Sequence, residues 1–152
     1  MHKKRYTGFN LIELMITIAI IAILSTIAYA SYSSSITRAK RVEGKSALFK
    51  AMQQEERFFT QHNRYIVFGK ITSDPNASSF QWYSGDSATK SGYELSAAPC
   101  KDSAIQHCVE IMATPGTQNV DSHFQDSECE KFSLTSTGIK SFSGNGNKEQ
   151  CW

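Results

Sequence analysis

At 152 residues, 40% hydrophobic and 20% charged, the chain has room for one folded domain and an additional segment, and no more. Sixteen Lys and Arg stand against fourteen Asp and Glu, a formal charge of +2, and three of the positive charges are Lys3, Lys4 and Arg5. Without those three the balance falls to −1, which excludes a strong overall bias towards polyanions for the rest of the chain.

Residues 1–8 are polar and basic, and Leu14 to Ala30 is apolar apart from Thr17, Ser25 and Thr26. Counted from Leu11 to Ala30 the stretch is twenty residues, the length one helix needs to cross about 30 Å of hydrocarbon. His2, Lys3, Lys4 and Arg5 on one flank predict a cytoplasmic N-terminus with the bulk of the chain outside. A secretory signal would carry its small-residue cleavage site after the apolar core. Here the good small-residue cut is Gly8, ahead of the core, so a cut after it leaves the helix attached. Glu13 lies inside the apolar stretch, where an acid costs about 2.5–3.5 kcal/mol on insertion scales and needs a partner.

Gly8, Phe9, Leu11, Ile12, Glu13, Leu14 and Met15, in register behind a basic leader, resemble the signal of type IV prepilins. Members of that family are stored in the inner membrane, cut after the glycine and polymerised into filaments. The resemblance implies a leader at residues 1–8 removed by a prepilin peptidase, N-methylation of the new N-terminal Phe9, and a Glu13 carboxylate that meets the Phe9 amine of a neighbouring subunit. Pairing the two between subunits removes the desolvation cost of both at once. The implied partners are other pilins, the peptidase and methyltransferase, and an inner-membrane assembly platform; no cofactor is implied. The chain is then a substrate rather than an enzyme. It has no Gly-x-Ser-x-Gly, His-Glu-x-x-His or phosphate-cradling glycine loop, and His2, His62, His107 and His123 are scattered.

From Ser31 to Gln61 there is no proline, and Gly44 is the one glycine. Gly44, Ala47, Leu48, Ala51, Met52, Glu55, Phe58 and Phe59 recur at three- and four-residue steps, predicting an amphipathic continuation of the helix over 31–61. Small residues early in the stripe predict close approach to a sheet, with Phe58 and Phe59 as the wedge. Val42 and Phe49 fall on the opposite face with Lys45, Gln53 and Glu56, as candidates for contact between subunits. Many members of the family carry a proline after the tyrosine that ends the apolar stretch. Tyr29-Ala30-Ser31 lacks it, and Ala22 stands where a glycine is common, so fewer helix breakers are present.

Residues 62–92 are rich in turn chemistry (Asp74-Pro75-Asn76, Ser84-Gly85-Asp86, Ser91-Gly92) with interleaved Tyr65, Phe68, Phe80, Trp82 and Tyr83, predicting a long loop pinned to the domain. Short strands are predicted at Gly92–Ala97, Val109–Thr114, Lys131–Thr135 and Ile139–Phe142, with Thr137-Gly138 as a hairpin turn. The expected fold is α+β, a type IV pilin fold: leader 1–8, membrane and polymerisation helix 9–30, amphipathic half 31–61, αβ-loop 62–92, then an antiparallel sheet and disulfide-bounded region 93–152. Four cysteines in an exported domain point to disulfides. Of three possible connectivities, Cys100–Cys108 with Cys129–Cys151 is preferred, the first closing a short loop between strands and the second stapling the C-terminus. A zinc site from Cys108, Cys129, His107 or His123 lacks a close-spaced cysteine pair, and no metal is expected.

Phe132 to Ser141, with Cys129 before it and Cys151-Trp152 after it, resembles the tail of small minor pilins, in the subgroup that includes the competence pilin binding DNA uptake sequences. Arg57 to Tyr65 is similar to that subgroup's helix-to-loop junction. The reading is a minor pilin, held in the inner membrane with its head in the periplasm and then built into an extracellular pilus. One alternative is a pilus-surface DNA receptor for natural transformation, with Lys131, Lys140, Lys148 and Trp152 as contacts if they gather on one face, and Lys90, Lys101, Trp82 and Tyr83 in support. Another is a type II secretion pseudopilin; its usual calcium site would have to come from Asp121, Asp126, Glu128 and Glu130, which lack the loop spacing for one.

Overall fold

The computed structural model describes Gly8 and residues 10–152; Phe9 and the basic leader residues, on which the cleavage and methylation expectations partly rest, lie outside the described residues. The chain divides into two compact units, Met1–Ile36 and Thr37–Trp152.

From Leu11 onward the first unit is helical, within α1 (Leu11–His62), and residues 22–30 continue the helix. Leu11, Ile12, Leu14, Met15, Ile16 and Ile18 each expose more than half of their surface. The hydroxyls of Thr17, Ser25 and Thr26 donate to the carbonyls of Leu14, Ile21 and Ile23 at 2.7–2.8 Å, so the helix itself satisfies these three hydroxyls. This part of α1 is long and apolar enough to cross a membrane.

In the second unit, the later turns of α1 pack on a four-stranded antiparallel sheet in the order β1 (Tyr93–Pro99), β2 (Val109–Pro115), β3 (Phe132–Thr135), β4 (Lys140–Phe142). Tyr93, Leu95 and Ala97 alternate with half-buried residues along β1, as do Val109, Ile111 and Ala113 along β2, so one sheet face is core. Leu48 and Ala51 of α1, with Ile66, Phe68, Phe80 and Phe132, complete it. Gly44 is required by close approach: a Cβ there would lie 2.7 Å from the Tyr93 ring.

β1 and β2 run longer than their sequence pattern indicates, pairing in register from Tyr93↔Pro115 to Pro99↔Val109. The prolines terminate the strands rather than preclude them, since each stands at a strand end. The outer edge of β1 is covered by the loop after α1, with Leu95 N–H donating to the Trp82 carbonyl at 2.7 Å and Ala97 N–H to that of Phe68 at 2.8 Å. The loop is also held to α1 through the Ser84 hydroxyl, which donates to Glu43 at 2.7 Å. Two disulfides, Cys100–Cys108 and Cys129–Cys151, close the C-terminal half. The chain ends in a one-turn helix, α2 (Lys148–Cys151), begun by a capping box between Asn147 and Gln150.

Candidate functional site

The site is a C-terminal lobe, residues 126–152, held against α1 at two levels. Arg41 is the first. It falls in register with the buried stripe (Arg41, Gly44, Leu48, Ala51, Glu55), and a buried cation requires partners. Its Nε and Nη2 donate to the two Asp126 oxygens at 2.7 and 2.6 Å, and Nη2 also donates to Glu128 at 2.7 Å. The Tyr93 hydroxyl and the Cys129 N–H complete the Asp126 carboxylate at 2.7 and 3.1 Å. Burial acts to raise Asp126, but the hydrogen bonds from Arg41, Tyr93 and Cys129 outweigh it and hold the carboxyl below its ordinary value. The hydrogen bond from Arg41 to Asp126 outweighs burial at the other end and raises the guanidinium further.

The segment so fixed, Glu128-Cys129, carries the rest of the lobe. Gly144 and Gly146 lie on it, their N–H groups donating to the Cys129 and Glu128 carbonyls at 3.1 and 2.6 Å. A Cβ at Gly144 would sit 2.1 Å from the Glu128 oxygen, so no other residue fits. Cys129 is bonded to Cys151, and next to Cys151 is Trp152. The indole Nε1–H donates to the Ser141 carbonyl on β4 at 2.8 Å, and the ring packs edge-on against Phe132 and Phe49, with centroids 5.7 and 6.2 Å apart. Lys140, paired with Leu134 and so on the helix-facing side of the sheet, brings its Nζ to 5.1 Å from the Phe49 centroid and 5.4 Å from that of Trp152.

The structure therefore brings Lys140 and Trp152 together and adds Phe49. Lys148 is exposed at the start of α2. Lys131 stands apart, lining an open depression of about 480 Å³ with Gly116, Phe124 and Ser143. Trp82 and Tyr83 lie beyond β1, at the other side of the sheet from β4, and the cation over Trp82 is Lys70, at 5.6 Å. Trp82 and Tyr83 therefore do not join Trp152 in one patch: the sheet separates them. Phe49 is partly covered by the Trp152 ring but keeps 43% of its surface exposed, and Val42 keeps 63%. Asp126 and Glu128, weighed above as part of an acidic cluster, are the partners of Arg41. Arg41 is the residue that sequence reasoning missed. The legible signal was Arg41 itself, a charge three residues before Gly44 on the buried stripe.

In the first unit, Glu13 occupies the first turn of α1 and is exposed among exposed apolar side chains, and Gly8 precedes the helix, also exposed.

An apolar N-terminal helix bearing one acid in its first turn, followed by an antiparallel sheet and a disulfide-closed C-terminal region, defines a type IV pilin. Residues 3–29 match the prokaryotic N-terminal methylation motif. Residues 30–142 match the family described as "Type IV minor pilin ComP, DNA uptake sequence receptor", and the chain belongs to that family, one of structural pilins. It is 33% identical over 94 residues to the type IV major pilin protein PilA of Myxococcus xanthus; the match covers 62% of this chain and 39% of the relative. Among solved structures it is similar to a type IV pilin from Shewanella oneidensis (TM-score 0.47, 19% identity, 76% of this chain and 97% of the other). It is also similar to the Neisseria meningitidis non-core minor pilin PilV (TM-score 0.46, 20% identity, 76% and 94%).

Proposed function

We propose that the chain is a minor pilin subunit, cut between Gly8 and Phe9, N-methylated at Phe9 and polymerised through α1. The proposed division is leader 1–8, membrane and polymerisation segment 9–30, amphipathic helix 31–61, αβ-loop 62–92 and sheet with disulfide-bounded region 93–152. Before assembly the N-terminus lies in the cytoplasm and the sheet-bearing unit in the periplasm; afterwards the subunit is part of an extracellular filament. Its partners are other pilins, the prepilin peptidase and methyltransferase, and the inner-membrane assembly platform. The observation that carries the reading is Glu13, an acid in the first turn of an apolar helix with no ion-pair partner among the described residues. An amine at residue 9 of a neighbouring subunit would supply one. Mass spectrometry of the protein from its own membranes should find the first eight residues gone and one methyl group on the new N-terminus. Glu13→Leu should leave the subunit in the membrane and out of sheared filaments; incorporation equal to the parent refutes the pairing.

A second reading, a DNA receptor on the pilus surface, is favoured by the Lys140 ammonium held beside the Trp152 and Phe49 rings and by the description of the matched family. The full chain in non-ionic detergent should bind a DNA duplex with an affinity that falls as salt rises, and Lys140→Ala should weaken it at every salt concentration. No binding at low salt ends that reading.

A further inference from the structure

We propose that Arg41 is the positioning residue of the Lys140–Trp152 patch, acting through Asp126 and Glu128; the functional half of this inference rests on the DNA-receptor reading. Arg41 is 6% exposed and both of its carboxylate partners lie on the lobe, so its guanidinium is committed inside the protein rather than to a phosphate. The lobe meets α1 at two named levels, Arg41 and Phe49, eight residues and about 12 Å apart along the helix axis. Between them the chain of connection is short and covalent or hydrogen-bonded at every link. It runs from Asp126 to Cys129 N–H, from Cys129 to Cys151 through sulfur, and from Trp152 to Ser141 beside Lys140. Gly144 and Gly146 pressed on Glu128 and Cys129 leave this segment no slack. The ion pair at the first level sets where the indole and the ammonium stand at the second.

Asp126→Asn separates this from plain electrostatics. It removes a negative charge, so a surface that merely attracts DNA would bind as tightly as the parent or more tightly. Positioning demands the reverse, because an amide cannot accept both guanidinium hydrogen bonds. For the full chain in non-ionic detergent we expect duplex affinity about fivefold weaker with an unchanged salt slope. The Lys140 side-chain methylene NMR signals, displaced by the two rings in the parent, should move towards those of a free lysine. Equal or tighter binding with unmoved Lys140 signals overturns the proposal. If Asp126→Asn does not fold, Glu128→Gln serves: its side chain is 58% exposed, it also removes a negative charge, and it should show the same two changes at smaller amplitude. If the parent binds no duplex, the DNA reading fails by itself. The Lys140 signals then decide alone: displacement in the variant upholds positioning of the lobe, and its absence overturns it.

Discussion

Glu55, with no exposed surface, accepts the Ile66 N–H at 3.0 Å through one carboxyl oxygen, while the other oxygen has no hydrogen-bond partner among the described residues. The contact fastens the last turns of α1 to the start of the following loop. Its neighbour Glu56 accepts from the Tyr65 hydroxyl at 3.0 Å, and the Tyr65 N–H donates to Ile105 inside the Cys100–Cys108 loop. Tyr65 and Ile66 therefore join two adjacent acids of α1 to the Cys100–Cys108 loop.

Burial pushes the Glu55 carboxyl up from 4.5 to about 7, against the Ile66 hydrogen bond, which lowers it. Because the folded value lies above the unfolded one, the folded chain holds the extra proton between the two. The contribution of this group to stability is therefore full below pH 4.5, declines as pH rises to about 7, and is flat beyond, a loss of about 3 kcal/mol. Glu55→Gln keeps a neutral group in place and should abolish most of this decline. Urea unfolding midpoints at pH 4.5, 6 and 8, for parent and variant, check it; parallel curves would refute a neutral Glu55.

The Arg41–Asp126 pair has side chains 8% and 0% exposed. Removing one partner leaves a buried charge uncompensated, so Arg41→Ala should destabilise the domain by about 3–5 kcal/mol in denaturant unfolding. Replacing Arg41 and Asp126 together by apolar residues of similar volume should cost distinctly less, since no stranded charge remains. Equal losses would mean the pair is not what holds the lobe.

Two glycines of the C-terminal half should respond oppositely in kind. Gly138 has φ +84° at the tip of the β3–β4 hairpin with nothing near its missing Cβ, so Gly138→Ala should cost about 1–2 kcal/mol of backbone strain and leave Trp152 unmoved. Gly144→Ala must displace the Glu128 carbonyl, so it should shift the Trp152 fluorescence as well as lower stability by more. Matched fluorescence in both variants would contradict the packing described.

The Cys129–Cys151 bond closes a separation of 22 residues and Cys100–Cys108 one of 8, which in the chain-entropy model corresponds to about 3.4 and about 2.5 kcal/mol. Replacing Cys129 and Cys151 by serine should therefore cost more than replacing Cys100 and Cys108. Only the former should release Trp152 from Phe49 and Phe132, read as a loss of near-ultraviolet circular dichroism.

Much of this molecule is readable from local pattern alone. A basic leader, a twenty-residue apolar stretch with one acid in it, and a stripe at three- and four-residue steps each act within a few turns of one helix, and the patterns that mark β1 and β2 are as short-ranged. Such signals are local because hydration and helix periodicity are local. What the tertiary structure decided was partnership across long separations: Arg41 with Asp126, 85 residues on, and Phe49 with Trp152 at the far end of the chain. No periodicity encodes those pairs. They arise because the sheet order sends β4 and the C-terminus to one side and Trp82 to the other, and because the desolvation cost of a buried charge is relieved by whichever opposite charge the fold delivers to it.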